Sequence, residues 1–118
     1  MRREDLTALI AEVMGRGGHL EIAAVGLSMV PAIQPGDTLV LGPMHADEPR
    51  PGQVVLVARG GSLLAHRVVE IGAQLIARGD ACDADDPPFT RSEVLAVVRS
   101  VHTPLLQRAR RLLRSARG

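Results

Sequence analysis

The stretch "QVVLVARGGSLLAHRVVEI", residues 53–71, contains two aliphatic, β-branched runs joined by Gly60-Gly61. The runs predict strands over 53–59 and 63–71, and a glycine pair between strands predicts a tight hairpin. Similar short runs, separated by Gly, Pro and Asp, predict four further strands, at 20–25, 38–42, 74–78 and 94–101. Closely spaced strands with short turns predict a mainly β fold, a small coiled or barrel-like antiparallel sheet.

Helical patterns lie on either side of this β region. Apolar side chains recur with helical spacing over residues 4–14, and "GRGG" at 15–18 ends the pattern. Thr103-Pro104 predicts the start of a second helix, an amphipathic one over 103–117 with leucines on one side and arginines on the other. We therefore expect a single domain over 1–118, with its β core at 20–101.

The composition excludes several classes of protein. The 118 residues are 46% hydrophobic but include a single aromatic residue, a poor basis for stacking on single-stranded nucleic acid. Cys82 is the lone cysteine, which excludes an internal disulfide. No apolar run approaches 18 residues, so no transmembrane helix and no secretory signal is predicted, and we expect a cytoplasmic protein.

The C-terminal segment leaves two interpretations open. Residues 99–118 carry six arginines and no acid. We expect the leucines of the second helix to pack on the sheet, because an exposed leucine stripe promotes aggregation. The alternative is peripheral contact with a membrane surface, with leucines in the interface and arginines on anionic head groups.

Four polar landmarks interrupt the apolar runs. One of them, Asp37, is expected to cap the turn after Pro35-Gly36. The other three could carry chemistry. Ser28 lies among apolar neighbours, His66 lies within an apolar strand, and an acidic loop follows at 78–89. A serine nucleophile needs a base within hydrogen-bond reach, and an aspartate can orient an imidazole base. These residue types are common, so spacing alone does not separate a catalytic triad from a structural histidine and a solvated loop. A metal site is not expected at Cys82, since no histidine lies at ligand spacing.

Four motifs in order carry a resemblance. They are "GLSMVPAIQPGDTLVL" at 26–41, "RPGQVVLV" at 50–57, "AHRVV" at 65–69 and "RGDACDADDPP" at 78–88. Together they resemble the boxes of the signal peptidase I and SOS-repressor-type serine peptidases. Gln53 departs from the aspartate usual in the second box. All 14 basic residues of the chain are arginines, so the Ser–Lys dyad of many members is excluded and the resemblance implies the Ser–His type.

The resemblance implies roles for individual residues. Ser28 would be the nucleophile and His66 the general base, with Asp80 and Asp86 at the acidic positions. We expect Asp80 or Asp86, and not Asp83, to contact His66, with Asp80 preferred because its Gly-Asp match is the stronger. A substrate-binding set is implied as well, consisting of Gly26, Met29 and Pro31.

The implied function is that of a serine endopeptidase without a cofactor. Its substrate would be a precursor peptide or protein from which a leader or signal-like segment is removed. Gly26 stands where some members carry a hydroxyl that helps to bind the oxyanion. This departure and the one at Gln53 support an alternative, a non-catalytic peptide-binding module. A self-cleaving regulator is a third interpretation. It is weakened because no DNA-binding domain and no Ala-Gly or Cys-Gly dipeptide precedes Ser28.

Overall fold

The computed structural model describes residues 2–105 together with Ala109 and Leu113. The elements bounded within residues 2–105 are the α-helix α1 (Arg3–Gly15), a short 3-10 turn (Arg91–Glu93) and a sheet. The strands of the sheet are β1 (Leu20–Ala23), β2 (Thr38–Gly42), β3 (Val54–Arg59), β4 (Ser62–Ile71), β5 (Leu75–Arg78) and β6 (Val94–His102). The mainly β prediction is therefore confirmed, and six of six predicted strands form with small shifts at their ends.

The sheet is antiparallel throughout, in the order β1-β2-β6-β3-β4-β5. Arg59 pairs with Ser62 across Gly60 and Gly61, whose φ angles of 58° and 75° suit a two-residue hairpin turn. β1 and β5 are its two edges, so the pairing does not close into a barrel. Irregular register in three of the strand pairs increases the local twist of the sheet.

Both faces of the central strand β3 are buried, which accounts for its unbroken apolar sequence. Val54 and Leu56 belong to one hydrophobic cluster, which also includes Ile10 of α1. Val55 and Val57 belong to a second cluster, on the face that the loop after β5 covers with Phe89. Alternate side chains of a strand point to opposite faces, so β3 serves both clusters.

The first strand ends earlier than the sequence predicts. The chain leaves β1 after Ala23, and the backbone of Ala24 then bonds to Gly36 and Asp37. Val25, which the sequence assigned to the strand, is 89% exposed, and Gly26 follows with φ of 81°. This early departure from the sheet carries the chain over the surface towards Ser28.

The predicted C-terminal helix lies largely outside the described residues. Leu105 and Leu113 are 81% and 61% exposed, so these two leucines do not pack on the sheet as we expected. The helix itself remains a prediction. In the described part of the chain, no helix is both long and apolar enough to cross a membrane.

Candidate active site

Ser28 lies at the surface on the segment between β1 and β2. Backbone hydrogen bonds from Val30 to Leu27 (3.2 Å) and from Ile33 to Met29 (2.9 Å) fold this segment into consecutive turns. Met29 and Ile33 are each 5% exposed and anchor the turns in the first cluster. The hydroxyl between exposed Leu27 and buried Met29 is thus held on a fixed backbone.

His66 of β4 connects this serine to an acidic side chain. Its Nε2 lies 3.0 Å from the Ser28 Oγ, and its Nδ1 lies 2.5 Å from the Asp86 Oδ2. The His66 side chain is 9% exposed and that of Asp86 is 23% exposed, so the chain of hydrogen bonds is largely withdrawn from water. The structure brings together one serine, one histidine and one aspartate that lie far apart in sequence.

Asp86 reaches the histidine because the loop after β5 folds back along that strand. The Asp86 N–H donates to the Ala77 carbonyl at 2.8 Å. Two further backbone bonds join Leu75 and Phe89, at 2.8 and 2.9 Å, and Phe89 is buried at 3% exposure. Both ends of the segment that carries Asp86 are therefore anchored.

Of the two candidate aspartates Asp86 contacts His66, and the preference for Asp80 is wrong. Asp80 accepts two hydrogen bonds from Arg67, at 2.9 and 2.8 Å, and this guanidinium holds the pKa of Asp80 below its ordinary value. His66 and Arg67 are neighbours in a strand, so their side chains point to opposite faces and select different carboxylates. Arg67 also donates to the Gly52 carbonyl at 2.8 Å, which ties this ion pair to the turn before β3.

Gly79 is a site residue whose role the sequence did not reveal. A Cβ atom at this position would lie 2.6 Å from the Ser28 carbonyl oxygen and 3.1 Å from the Ser28 Cβ. The Ala81 N–H donates to the same carbonyl at 2.8 Å, and the Asp80 N–H donates to the Met29 Sδ at 3.4 Å. The acidic loop can approach the backbone of the nucleophile this closely only with glycine at 79.

The hydrogen bonds define which nitrogen of His66 carries its proton. An ionised carboxylate only accepts hydrogen bonds, so Asp86 requires the proton on Nδ1 of a neutral imidazole. Nε2 is then an acceptor that faces the Ser28 hydroxyl, which is the arrangement a general base needs. The Ser28 N–H has no hydrogen-bond partner in the described part of the chain and is free to bind an oxyanion.

Ser28 and His66 open onto a groove of about 750 Å³. The groove is mainly apolar, with Met29, Ile33, Leu39 and Leu56 in its floor, and it extends to Ser62 of β4 and the first turn of α1. Gly26 also lines it, so Gly26 and Met29 lie where a substrate-binding role requires. Pro31 is exposed and does not line the groove, which separates it from its expected role.

The two departures from the family motifs lie in different surroundings. No atom lies within 4 Å of a Cβ built on Gly26, so space for a side chain exists there. Gln53 lies in the turn before β3, where its side chain accepts from the Arg50 N–H at 2.7 Å and donates to Glu48 at 2.5 Å. These two bonds hold the Gln53 side chain within that turn.

The remaining polar candidates have structural surroundings. Asp37 is buried, and its side chain accepts the Gln34 N–H at 2.9 Å, as expected for a residue that closes a turn. The three other histidines, His19, His45 and His102, are exposed. Cys82 is also exposed, and no group of three metal-ligating side chains occurs among the described residues.

Comparisons with known proteins leave the family unassigned. No protein-family model matches the sequence, and the curated proteins include no significant match. What is known of this site is therefore its geometry: a buried imidazole between a serine hydroxyl and a carboxylate, at the floor of an apolar groove.

Proposed function

We propose that the protein is a serine endopeptidase that uses Ser28 as nucleophile, His66 as general base and Asp86 as the carboxylate that orients it. The observation that carries the proposal is the pair of hydrogen bonds at 3.0 and 2.5 Å on the two nitrogens of His66. The order and content of the four motifs agree with the signal peptidase I and SOS-repressor-type fold and activity.

The proposed reaction proceeds in two acyl-transfer steps. Ser28 Oγ attacks the scissile carbonyl carbon while His66 Nε2 takes the hydroxyl proton, and Asp86 stabilises the resulting imidazolium. The carbonyl oxygen becomes an oxyanion facing the Ser28 N–H. The C–N bond then breaks as His66 returns its proton to the leaving amine. Water repeats the sequence on the acyl-enzyme and releases the second product.

Two bare strand edges favour an extended peptide as substrate. β5 pairs with β4 only from residue 67 onwards, so residues 62–66 lack a neighbouring strand on that side in the described part of the chain. β1 is also a sheet edge, and both segments border the groove. A peptide can add to such edges through main-chain hydrogen bonds while its apolar side chains enter the groove.

We further propose that the substrate is a precursor from which a leader or signal-like segment is removed. This part rests on the motif resemblance, and the apolar groove is compatible with it. The competing proposal is a non-catalytic module that holds a peptide without cleaving it, which the missing side-chain donor at Gly26 favours. The two proposals differ in whether Ser28 cleaves a bound peptide.

Digestion of a proteome-derived peptide library tests the proposal. New N-termini are identified by mass spectrometry for the wild type and for the Ser28→Ala variant, with Ser100→Ala, an exposed serine that does not line the groove, as the matched control. We expect cleavage by the wild type and by Ser100→Ala, and none by Ser28→Ala. Equal cleavage by Ser28→Ala would refute the proposal, and peptides that bind but stay intact would favour the non-catalytic module.

A further inference from the structure

The far end of the groove is closed by the start of α1 and the tip of the β3–β4 hairpin. Arg2, Arg3 and Leu6 line the groove from the helix side. The Arg3 guanidinium donates a hydrogen bond to the Gly61 carbonyl, which fixes it beside the hairpin turn. A charged group is therefore positioned at the end of an otherwise apolar channel.

The charge of Arg3 is not offset by a neighbouring carboxylate. Arg2 lies 3.5 Å from Asp5 and 3.8 Å from Glu4, whereas no carboxylate of the described residues forms an ion pair with Arg3. A guanidinium has five N–H donors, and the Gly61 carbonyl engages one of the nitrogens of Arg3. None of the residues that line the groove is acidic. The groove thus offers a positive charge with unused donors and no acidic side chain in its lining.

The distance from Arg3 to the nucleophile can be read along β4. His66 and Gly61 are five residues apart on one chain that is extended from Ser62 onwards. At about 3.3 Å per residue, the two ends of this stretch lie roughly 17 Å apart. An extended peptide beside residues 62–66 therefore places its fifth residue or so from the scissile bond near Arg3.

We infer that Arg3 is a specificity-determining residue that selects substrates with an acidic side chain four to six residues from the scissile bond, within the part that fills the groove. The inference rests on the proposed peptidase function. A carboxylate there would accept charge-assisted hydrogen bonds from a cation already held in place. A basic or neutral side chain at the same position of the peptide would leave the guanidinium with the Gly61 carbonyl and solvent.

The library digest provides the test, because each cleavage site fixes the register of the substrate. We expect acidic residues to be enriched about twofold to fivefold at one position, four to six residues from the scissile bond on one side only. Arg3→Gln should remove the enrichment, Arg3→Lys should retain it, and Arg3→Glu should replace it with enrichment of basic residues. Arg16→Gln, at the other end of α1, is the matched control and should leave it unchanged.

The outcome of the library digest distinguishes a failure of this inference from a failure of the proposed function. Unbiased cleavage by the wild type, or the same bias in Arg3→Gln as in the wild type, overturns the inference and leaves the peptidase intact. If no peptide is cleaved, the peptidase proposal fails, and capture of library peptides by immobilised Ser28→Ala protein still tests Arg3. Captured peptides should then be enriched in acidic residues relative to those captured by Ser28→Ala/Arg3→Gln. Equal composition, or no capture, overturns the inference.

Discussion

Replacement of Asp86 by asparagine tests whether Asp86, and not Asp80 of the same loop, is the carboxylate that orients His66. Asp86 Oδ2 lies 2.5 Å from His66 Nδ1, so an amide that donates to Nδ1 would move the imidazole proton to Nε2. Nε2 then faces the Ser28 hydroxyl, 3.0 Å away, with a proton instead of a lone pair and can no longer act as a base. The shape of the site changes little, because Asn and Asp are nearly isosteric.

The expected loss follows from the role of the carboxylate. The equivalent substitution in a Ser-His-Asp triad lowers the rate by about 10⁴, which corresponds to roughly 5.5 kcal/mol of activation free energy. Asp80→Asn is the matched control: it weakens the contact with Arg67 but leaves the hydrogen bonds of His66 in place. We expect Asp80→Asn to lower the rate by no more than about tenfold.

The assay needs no knowledge of the substrate. A fluorophosphonate reacts with an activated serine, and the second-order rate constant of labelling is measured for the wild type and both variants. Far-ultraviolet circular dichroism shows whether each variant is folded. A folded Asp86→Asn protein that is labelled within tenfold of the wild-type rate would refute the role of Asp86. A larger loss in Asp80→Asn than in Asp86→Asn would show that Asp80, and not Asp86, orients His66.

Two further predictions concern the packing around the site and the buried ion pair. Gly79→Ala should lower the labelling rate at least tenfold and destabilise the protein by about 1–3 kcal/mol, because the new Cβ would overlap the Ser28 carbonyl oxygen. Gly72→Ala is the control, since its Cβ would meet nothing closer than 3.8 Å. In the same labelling and urea-unfolding assays, Gly72→Ala should change neither the labelling rate nor the stability. Glu48→Gln should lower the free energy of unfolding at pH 7 by about 2 kcal/mol, less than for a fully buried pair because the Arg99 side chain is 24% exposed. The hydrogen bond from Arg99 lowers the pKa of Glu48 in the folded protein, so this stabilisation is present above the unfolded pKa near 4.3 and is lost as the pH falls below it. Urea unfolding at pH 7 and at pH 3.5 should therefore show a smaller acid-induced loss of stability in Glu48→Gln than in the wild type, and an equal loss would contradict the assignment.

The strands could be predicted from sequence because their signal is local. Runs such as 54–57 are rich in β-branched side chains and lie between turns that contain glycine. The hairpin across Gly60-Gly61 follows from those few residues. The end of β1 could not be predicted, because Val25 is as compatible with a strand as Ile22 is. The chain leaves the sheet before Val25 because the backbone of Ala24 bonds to a turn more than ten residues away.

The candidate site shows the same division. The contact of Ser28 with His66 agrees with the motif order. The choice between Asp80 and Asp86 depends on which face of β4 each carboxylate meets, and the motif carries no such information. The alternation of side chains along β4 would have indicated that His66 and Arg67 contact different carboxylates. The close approach of Gly79 to Ser28 depends on the path of a loop, for which a single Gly-Asp pair is a weak signal.

Mass spectrometry of the fluorophosphonate adduct tests the central claim most directly. The folded wild-type protein should gain one phosphonyl group, and fragmentation should locate it on the peptide that contains Ser28. Labelling should be absent from Ser28→Ala, reduced by at least 10³ in His66→Ala, and abolished by heat denaturation of the wild type. A folded wild-type protein that remains unlabelled, or one labelled equally at other serines, would contradict the assignment of Ser28 and His66 as an activated nucleophile and its base.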